Sequence, residues 1–172
     1  MSLRALAALV LLAALTVLAG CGSSVLPQIH NDADRVAIAE RMMAKGDHAI
    51  AIDVLTPYVA TGVGAADIDR AIFLLGMAQL HQKEYALAQT QFERILRDFP
   101  ESDSARAASF ELGEALFGQS RGPDFDQDFT LKALGQFEQY VKSAEGHWQV
   151  SRAEARILEC RTRLATKLYR TG

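Results

Sequence analysis

A repeat of 37 residues runs through this chain and limits what it can fold into. Gly76 in "FLLGMAQL" and Gly113 in "FELGEALF" lie 37 apart, and one step further back stands Ala39 in "IAERMMA". The same step links Val36, Phe73 and Phe110, then Ile38, Leu75 and Leu112, then Met43, Leu80 and Phe117. A period of this kind marks one supersecondary unit that buries its apolar face only against its neighbours. Within the middle unit, Ile68, Ala71, Ile72 and Leu75 form one stripe, and Tyr85, Ala88, Phe92, Ile95, Leu96 and Phe99 form another. Both stripes fit a helix of about 3.6 residues per turn. Ala51 matches Ala88 and Leu55 matches Phe92 in the second halves of successive units. Pro100 ends the second stripe, because proline has no N–H and disfavours helix at the residue before it. The spacing predicts an all-α solenoid of helical hairpins, with small residues where two helices cross closely.

The stretch "LLGMAQLHQKEYALAQTQFERILRDFP" resembles a tetratricopeptide repeat: its Leu-Gly pair, later alanine, phenylalanine four beyond and closing proline stand at that family's offsets. The tyrosine that the resemblance predicts three residues after Gly76 is Gln79. Repeat one is placed at about 32–65, repeat two at 69–102 and repeat three from about 106. The third is interrupted by "GQSRGPDFDQDFT", an insertion of about eight residues, after which Ala133 and Phe137 take the places of Ala88 and Phe92. The glycines and proline of the insert predict a loop. Asp124, Asp126 and Asp128 alternate as in a hard-cation site, but the glycine and distal glutamate of such a loop are missing, so Asp128 or Thr130 is expected to cap the next helix. The segment from Trp148 predicts a last amphipathic helix. Its apolar face is Val150, Ala153, Ile157, Cys160, Leu164 and Leu168, and Arg152, Glu154, Arg156, Glu159 and Arg163 lie opposite. Cys160 reads as a small core residue.

The N-terminus has a different logic. Arg4 precedes an uncharged apolar run, Ala5 to Ala19, which is shorter than the ~20 residues of a membrane-spanning helix. A basic start, a short apolar middle and small residues before a cut site mark a secretory signal peptide. The run ends in "LAGC", which resembles the lipobox of bacterial lipoproteins, whose cysteine is acylated. The resemblance implies cleavage after residue 20, lipidation at Cys21 and a flexible linker over 21–31, followed by the solenoid over 32–172. Two or more acyl chains hold a protein on a bilayer stably. No aspartate follows Cys21, which by the same resemblance favours the outer membrane over the inner.

With residues 1–20 removed, 152 residues remain, carrying 17 basic and 21 acidic side chains. A mildly acidic chain of this kind is a poor ligand for nucleic acid. Cys160 would be the one thiol left, so no internal disulfide is expected. His30, His48, His81 and His147 are scattered, with no pair at metal-ligand spacing and no nucleophile–base arrangement around them. The sequence therefore predicts neither an enzyme nor a metal or cofactor site.

The run "GPDFDQDFTLKALGQFEQYV" and the ending "RILECRTRLATKLY" resemble the BamD family, lipoproteins of the machine that assembles β-barrels in the bacterial outer membrane. The features carried are Pro123-Asp124, Asp126-Gln127, Thr130, Lys132-Ala133-Leu134 and Phe137, then Arg156-Ile157, Arg161, Arg163-Leu164-Ala165 and Leu168-Tyr169. The resemblance implies a periplasm-facing, lipid-anchored scaffold on the outer membrane. Its implied partners are a β-barrel assembly protein with periplasmic domains, other assembly lipoproteins and unfolded outer-membrane proteins. Members of that family carry five repeats, so the chain reads as shortened at its C-terminus, with the last helix as a cap. The alternative is a lipid-anchored scaffold of another envelope machine, for pilus assembly or envelope constriction. By the repeat pattern the first helix of each unit lines a concave groove. The groove candidates are Val36 and Met43, then Phe73, Met77 and Leu80, then Phe110 and Phe117, with Glu40 and Glu114 among them. Methionines and aromatics suit a surface that accepts variable apolar segments.

Overall fold

The computed structural model describes residues 33–171 apart from residues 63 and 145. The predicted signal peptide, Cys21 and the predicted linker lie outside the described residues. Among the described residues seven helices follow one another: α1 (Ala33–Lys45), α2 (His48–Thr61), α3 (Ile68–His81), α4 (Tyr85–Asp98), α5 (Asp103–Gln119), α6 (Asp128–Ser143) and α7 (Val150–Thr171). No strand occurs among the described residues. The helices pack consecutively, α1 on α2, α2 on α3 and onward to α7, and α3 also touches α1 and α5. The result is three helical hairpins and a seventh helix. Among the described residues no helix is long and apolar enough to cross a membrane.

The repeat columns become the core. Ile38, Leu75 and Leu112 are buried, as are Ala51 and Ala88, and Leu55 and Phe92 are sealed from solvent. Burying each of the larger side chains contributes about 1.5–3 kcal/mol relative to exposure. The small residues sit where expected: a Cβ on Gly76 would stand 2.8 Å from the Phe92 ring, and one on Gly113 would stand 2.5 Å from that of Phe137. In repeat one the corresponding pair is Ala39 and Leu55, both fully buried. Gln79, in place of the larger tyrosine, is buried with its Oε1 unpartnered.

The turns inside the hairpins repeat as faithfully as the helices. Gly46 N–H donates to the Met43 carbonyl at 3.0 Å and Asp47 N–H to that of Met42 at 2.9 Å. One period later Lys83 N–H donates to Leu80 at 3.0 Å and Glu84 N–H to Gln79 at 2.8 Å. Gly46 has φ +82° and Lys83 has φ +63°, so a lysine occupies the left-handed position that glycine fills without strain. The third turn starts alike, with Ser120 N–H on the Phe117 carbonyl at 3.1 Å, and then departs into the insertion.

The insert is a loop over Ser120–Gln127, as the glycines predicted, but its cap differs from expectation. Asp126 Oδ1 accepts the N–H of Asp128 at 2.7 Å, so a residue two positions before the predicted cap Asp128 holds the first N–H of the helix. Thr130 is buried, bonding Gln127 Oε1 at 2.8 Å and the Ser120 hydroxyl. Asp124 is held by Arg170, whose Nη1 donates to both carboxylate oxygens at 2.9 Å. With these acids spread over separate tasks, the alternating aspartates do not converge, and no three imidazole, thiolate or carboxylate groups gather among the described residues.

α7 buries Ala153 and Cys160 against the body. Its start is positioned by the buried Tyr140, whose hydroxyl bonds His147 Nδ1 at 2.7 Å and Gln149 Oε1 at 3.3 Å. Burial, above all, pushes the Cys160 thiol up to about 11, consistent with a packed, protonated core residue. Two expectations for this helix fail. Leu168 is 72% exposed instead of joining the core, and the outer face is not wholly polar, since Leu158 is 67% and Tyr169 90% exposed.

Candidate functional site

The first helices of the repeats, α1, α3 and α5, bring the predicted groove residues into one line, and α7 continues it. Met43, Phe73, Met77, Leu80 and Phe117 are half-buried along this line. Two candidates are not available. Val36 is buried, and Phe110 is sealed beneath the Arg152 guanidinium, which sits 4.9 Å above its ring. Phe110 packs inward on Phe137 at 5.7 Å and Tyr140 at 5.5 Å between ring centroids. Phe73 likewise leans on Phe92 at 6.0 Å but keeps part of its surface in solvent. The column that reads as three equivalent groove positions is therefore graded, because a neighbouring helix covers one copy and not the next.

The charges on α7 that read as a solvated face are the roof of this line. Arg156 and Arg163 both stack on the Phe117 ring, at 4.9 and 4.4 Å from its centroid. Arg156 also grips the Glu114 carboxylate with two bonds of 2.7 Å and reaches Glu159 at 2.8 Å. The hydrogen bond to Glu114, more than any other contact, holds the Arg156 guanidinium above its already high range. Arg163 Nη1 donates to the Ser120 hydroxyl at 2.7 Å, and Lys167 donates to the Asp124 carbonyl at 3.4 Å. The insert is thus tied to α7 by three basic residues one helical face apart. At the far end of the line Arg70 pairs with Glu40 across α3 and α1. Glu111 is buried beside these groups. Burial first, then the nearby Glu114, push its carboxyl up to about 7, while Arg152 opposes the shift.

Between α3, α4, α5 and α7 this arrangement leaves a cavity of roughly 440 Å³, lined by Leu80, Tyr85, Glu114, Phe117, Gly118, Ser120, Arg156 and Arg163. Gly118 lets the Tyr85 ring close the floor: a Cβ there would meet that ring at 2.4 Å. The walls are apolar on one side and donor-rich on the other. Such a cavity suits an apolar or aromatic side chain whose backbone carbonyl or carboxylate turns toward the guanidinium edge. Leu80, Glu114 and Phe117 of this lining were among the sequence's groove candidates. Tyr85, Gly118, Arg156 and Arg163 were not, because they come from other helices, and the two arginines carried only the signal of a 3–4-residue charge spacing on α7.

Nothing in this line has the geometry of a nucleophile with its base. Compared with known protein families, residues 36–103 and 73–125 match the tetratricopeptide repeat. Together the two matches span more than half of the chain. The chain belongs to the tetratricopeptide repeat family. No curated protein matches it. Repeats of this family are protein-binding scaffolds, in general without enzymatic activity, and the stacked hairpins here present the extended surface on which such scaffolds bind.

Proposed function

We propose that this tetratricopeptide repeat protein is lipid-anchored through Cys21 to the outer membrane and acts, facing the periplasm, in the assembly of β-barrel proteins. In this reading its groove accepts an extended, aromatic-bearing segment of a partner or of an unfolded barrel. The observation that carries the binding half is the Leu80–Phe117 cavity, apolar on one wall and roofed by Arg156 and Arg163 on the other. The assembly half rests on residues of the sequence: "LAGC" at 18–21 and the "GPDFDQDFT" loop with the helices that flank it.

A tagged pull-down from gently solubilised membranes tests the assembly half. A large β-barrel protein with periplasmic domains should co-purify, and its absence from otherwise intact, membrane-bound protein would overturn that reading. The groove is tested in the same experiment with Phe73→Asp plus Phe117→Asp. Both rings are only half-buried, so helical content should persist while the partner is lost. Phe110 is unsuited to this test, since a charge placed on a fully buried ring position would unfold the third repeat.

A further inference from the structure

The insertion lengthens the repeat without ending it. Ala88 and Ala133 lie 45 residues apart, and the same step carries Ala108 to Ala153 and Ala115 to Cys160, all of them buried. It also carries Gly113 to Leu158. α7 is therefore built like the first helix of a further unit, with Leu158 in the column of Gly76 and Gly113. That column marks the side on which α3 receives Phe92 of α4 and α5 receives Phe137 of α6. On α7 the same side faces solvent: Leu158 is exposed, and so is Trp148, just before the helix, at 70%. Ser151, Ala155, Thr162 and Ala165 are exposed with them. From Ser151 to Ala165 the steps alternate between four and three, the spacing of a coiled-coil seam. Pro123 of the insert flanks the seam and forms, with Ala155, Leu158 and Thr162, an open recess of about 470 Å³.

We propose that this face of α7 pairs with the same face of a second copy of the chain, the two helices running antiparallel about a two-fold axis. A two-fold dimer needs a patch that complements itself, and this one does so in a single register. With Ala155 opposite Leu158 of the second copy, Ser151 meets Thr162 and Ala165 meets Trp148, so the two bulkiest side chains each face an alanine. The recess beside Pro123 takes Leu158 of the second copy, and the overlap covers about 27 Å of helix. On one flank Glu154 then faces Arg161 of the second copy, and on the other Arg152 faces Glu159, each pair occurring twice by symmetry. Sliding by one heptad in one direction sets Arg161 against Arg161 and Glu159 against Glu159. Sliding in the other sets Glu154 against Glu154 and Arg152 against Arg152, and a parallel pair sets Glu154 against Glu159. Exposed pairs of this kind add little energy but decide register and orientation. Arg161 also bonds Glu138 at 2.8 Å, both side chains being exposed, and its five N–H groups can serve both carboxylates. Arg156 and Arg163 lie toward the body on α7, so pairing leaves the groove cavity open.

The test is a disulfide cross-link between two differently tagged copies of the full chain, produced together and oxidised after gentle solubilisation. One copy carries Ser151→Cys and the other Thr162→Cys. The proposed register sets these positions opposite each other, within the Cα separation of about 4.4–6.8 Å that a disulfide needs. Either variant paired with itself is displaced by about 16 Å along the helix. The mixed disulfide should therefore exceed the product of either variant alone at least tenfold, and the parent chain, which keeps Cys21 and Cys160, sets the background. Glu154→Arg in both copies should lower the yield at least tenfold, and adding Arg161→Glu should restore it. All four positions are exposed, so the far-UV circular dichroism spectrum should not change. A mixed disulfide no stronger than background would overturn the proposal, as would equal yields from the single variants or a yield that ignores Glu154→Arg. If the mixed disulfide is missing and Leu158→Asp instead strips another protein from the pull-down, the occupant is that protein and not a second copy. The cross-link is read without any barrel partner, so its failure leaves the groove reading untouched.

Discussion

Gly113→Ala tests the packing logic of the whole repeat. The added methyl would stand 2.5, 2.8 and 2.8 Å from Cε1, Cδ1 and Cζ of Phe137, about 1 Å inside ordinary van der Waals contact. Phe137 has nowhere to go, being fully buried and packed at a tilt against Phe110 with centroids 5.7 Å apart. Overpacking of this kind costs about 1–3 kcal/mol, and alanine returns up to about 1 kcal/mol of helix propensity. The expected net loss is about 1–2 kcal/mol. Gly76→Ala should cost less, because its methyl would meet Phe92 at 2.8 and 3.0 Å. Repeat one shows the remedy, since Ala39 goes there with Leu55 in the ring's place. Gly113→Ala combined with Phe137→Leu should therefore be more stable than the sum of the two single changes by at least about 1 kcal/mol, the coupling expected of residues in contact. Equilibrium urea unfolding followed by far-UV circular dichroism measures all four corners of the cycle. An additive cycle, or a Gly113→Ala variant as stable as the parent, would refute the claim that close helix crossing selects the small residue.

Four other outcomes follow from particular residues. Lys83→Gly relieves a left-handed backbone position and should stabilise the protein by roughly 0.5–1 kcal/mol, read as a shift of the urea midpoint. Gln79→Leu removes a buried, unpartnered carbonyl oxygen and should gain about 1 kcal/mol in the same assay. Glu111 holds its proton more tightly in the folded state, with its carboxyl pushed from 4.5 to about 7. Its contribution is full below pH 4.5 and falls as pH rises to 7, by about 1–3 kcal/mol, so Glu111→Gln should flatten the stability–pH profile across that window. Cys21→Ser should release the protein from the membrane fraction, read by fractionation and by the mass of the N-terminal peptide.

Helix order, the hairpin repeat and most of the core were legible from the 37-residue columns, because an amphipathic helix writes its buried face into the sequence at a fixed period. The position and loop character of the insertion were legible too, from the shift that restores Ala133 and Phe137 to register. Of the groove candidates drawn from the columns, Leu80 and Phe117 line the cavity and Phe110 is buried. Periodicity says which face of a helix a residue occupies but not what lies over that face. Arg152 closes Phe110, while Arg156 and Arg163 leave a cavity at Phe117, and all three sit on a helix more than 30 residues further along the chain. The same limit hid the closure of the floor at Gly118 against Tyr85. Local pattern is set by the chain's own backbone geometry, and so the sequence alone determined the repeat architecture and the small-residue crossings. Contacts between helices depend on crossing angle, turn conformation and rotamer, and so only the tertiary structure decided which apolar residues remain open and which cations cover them.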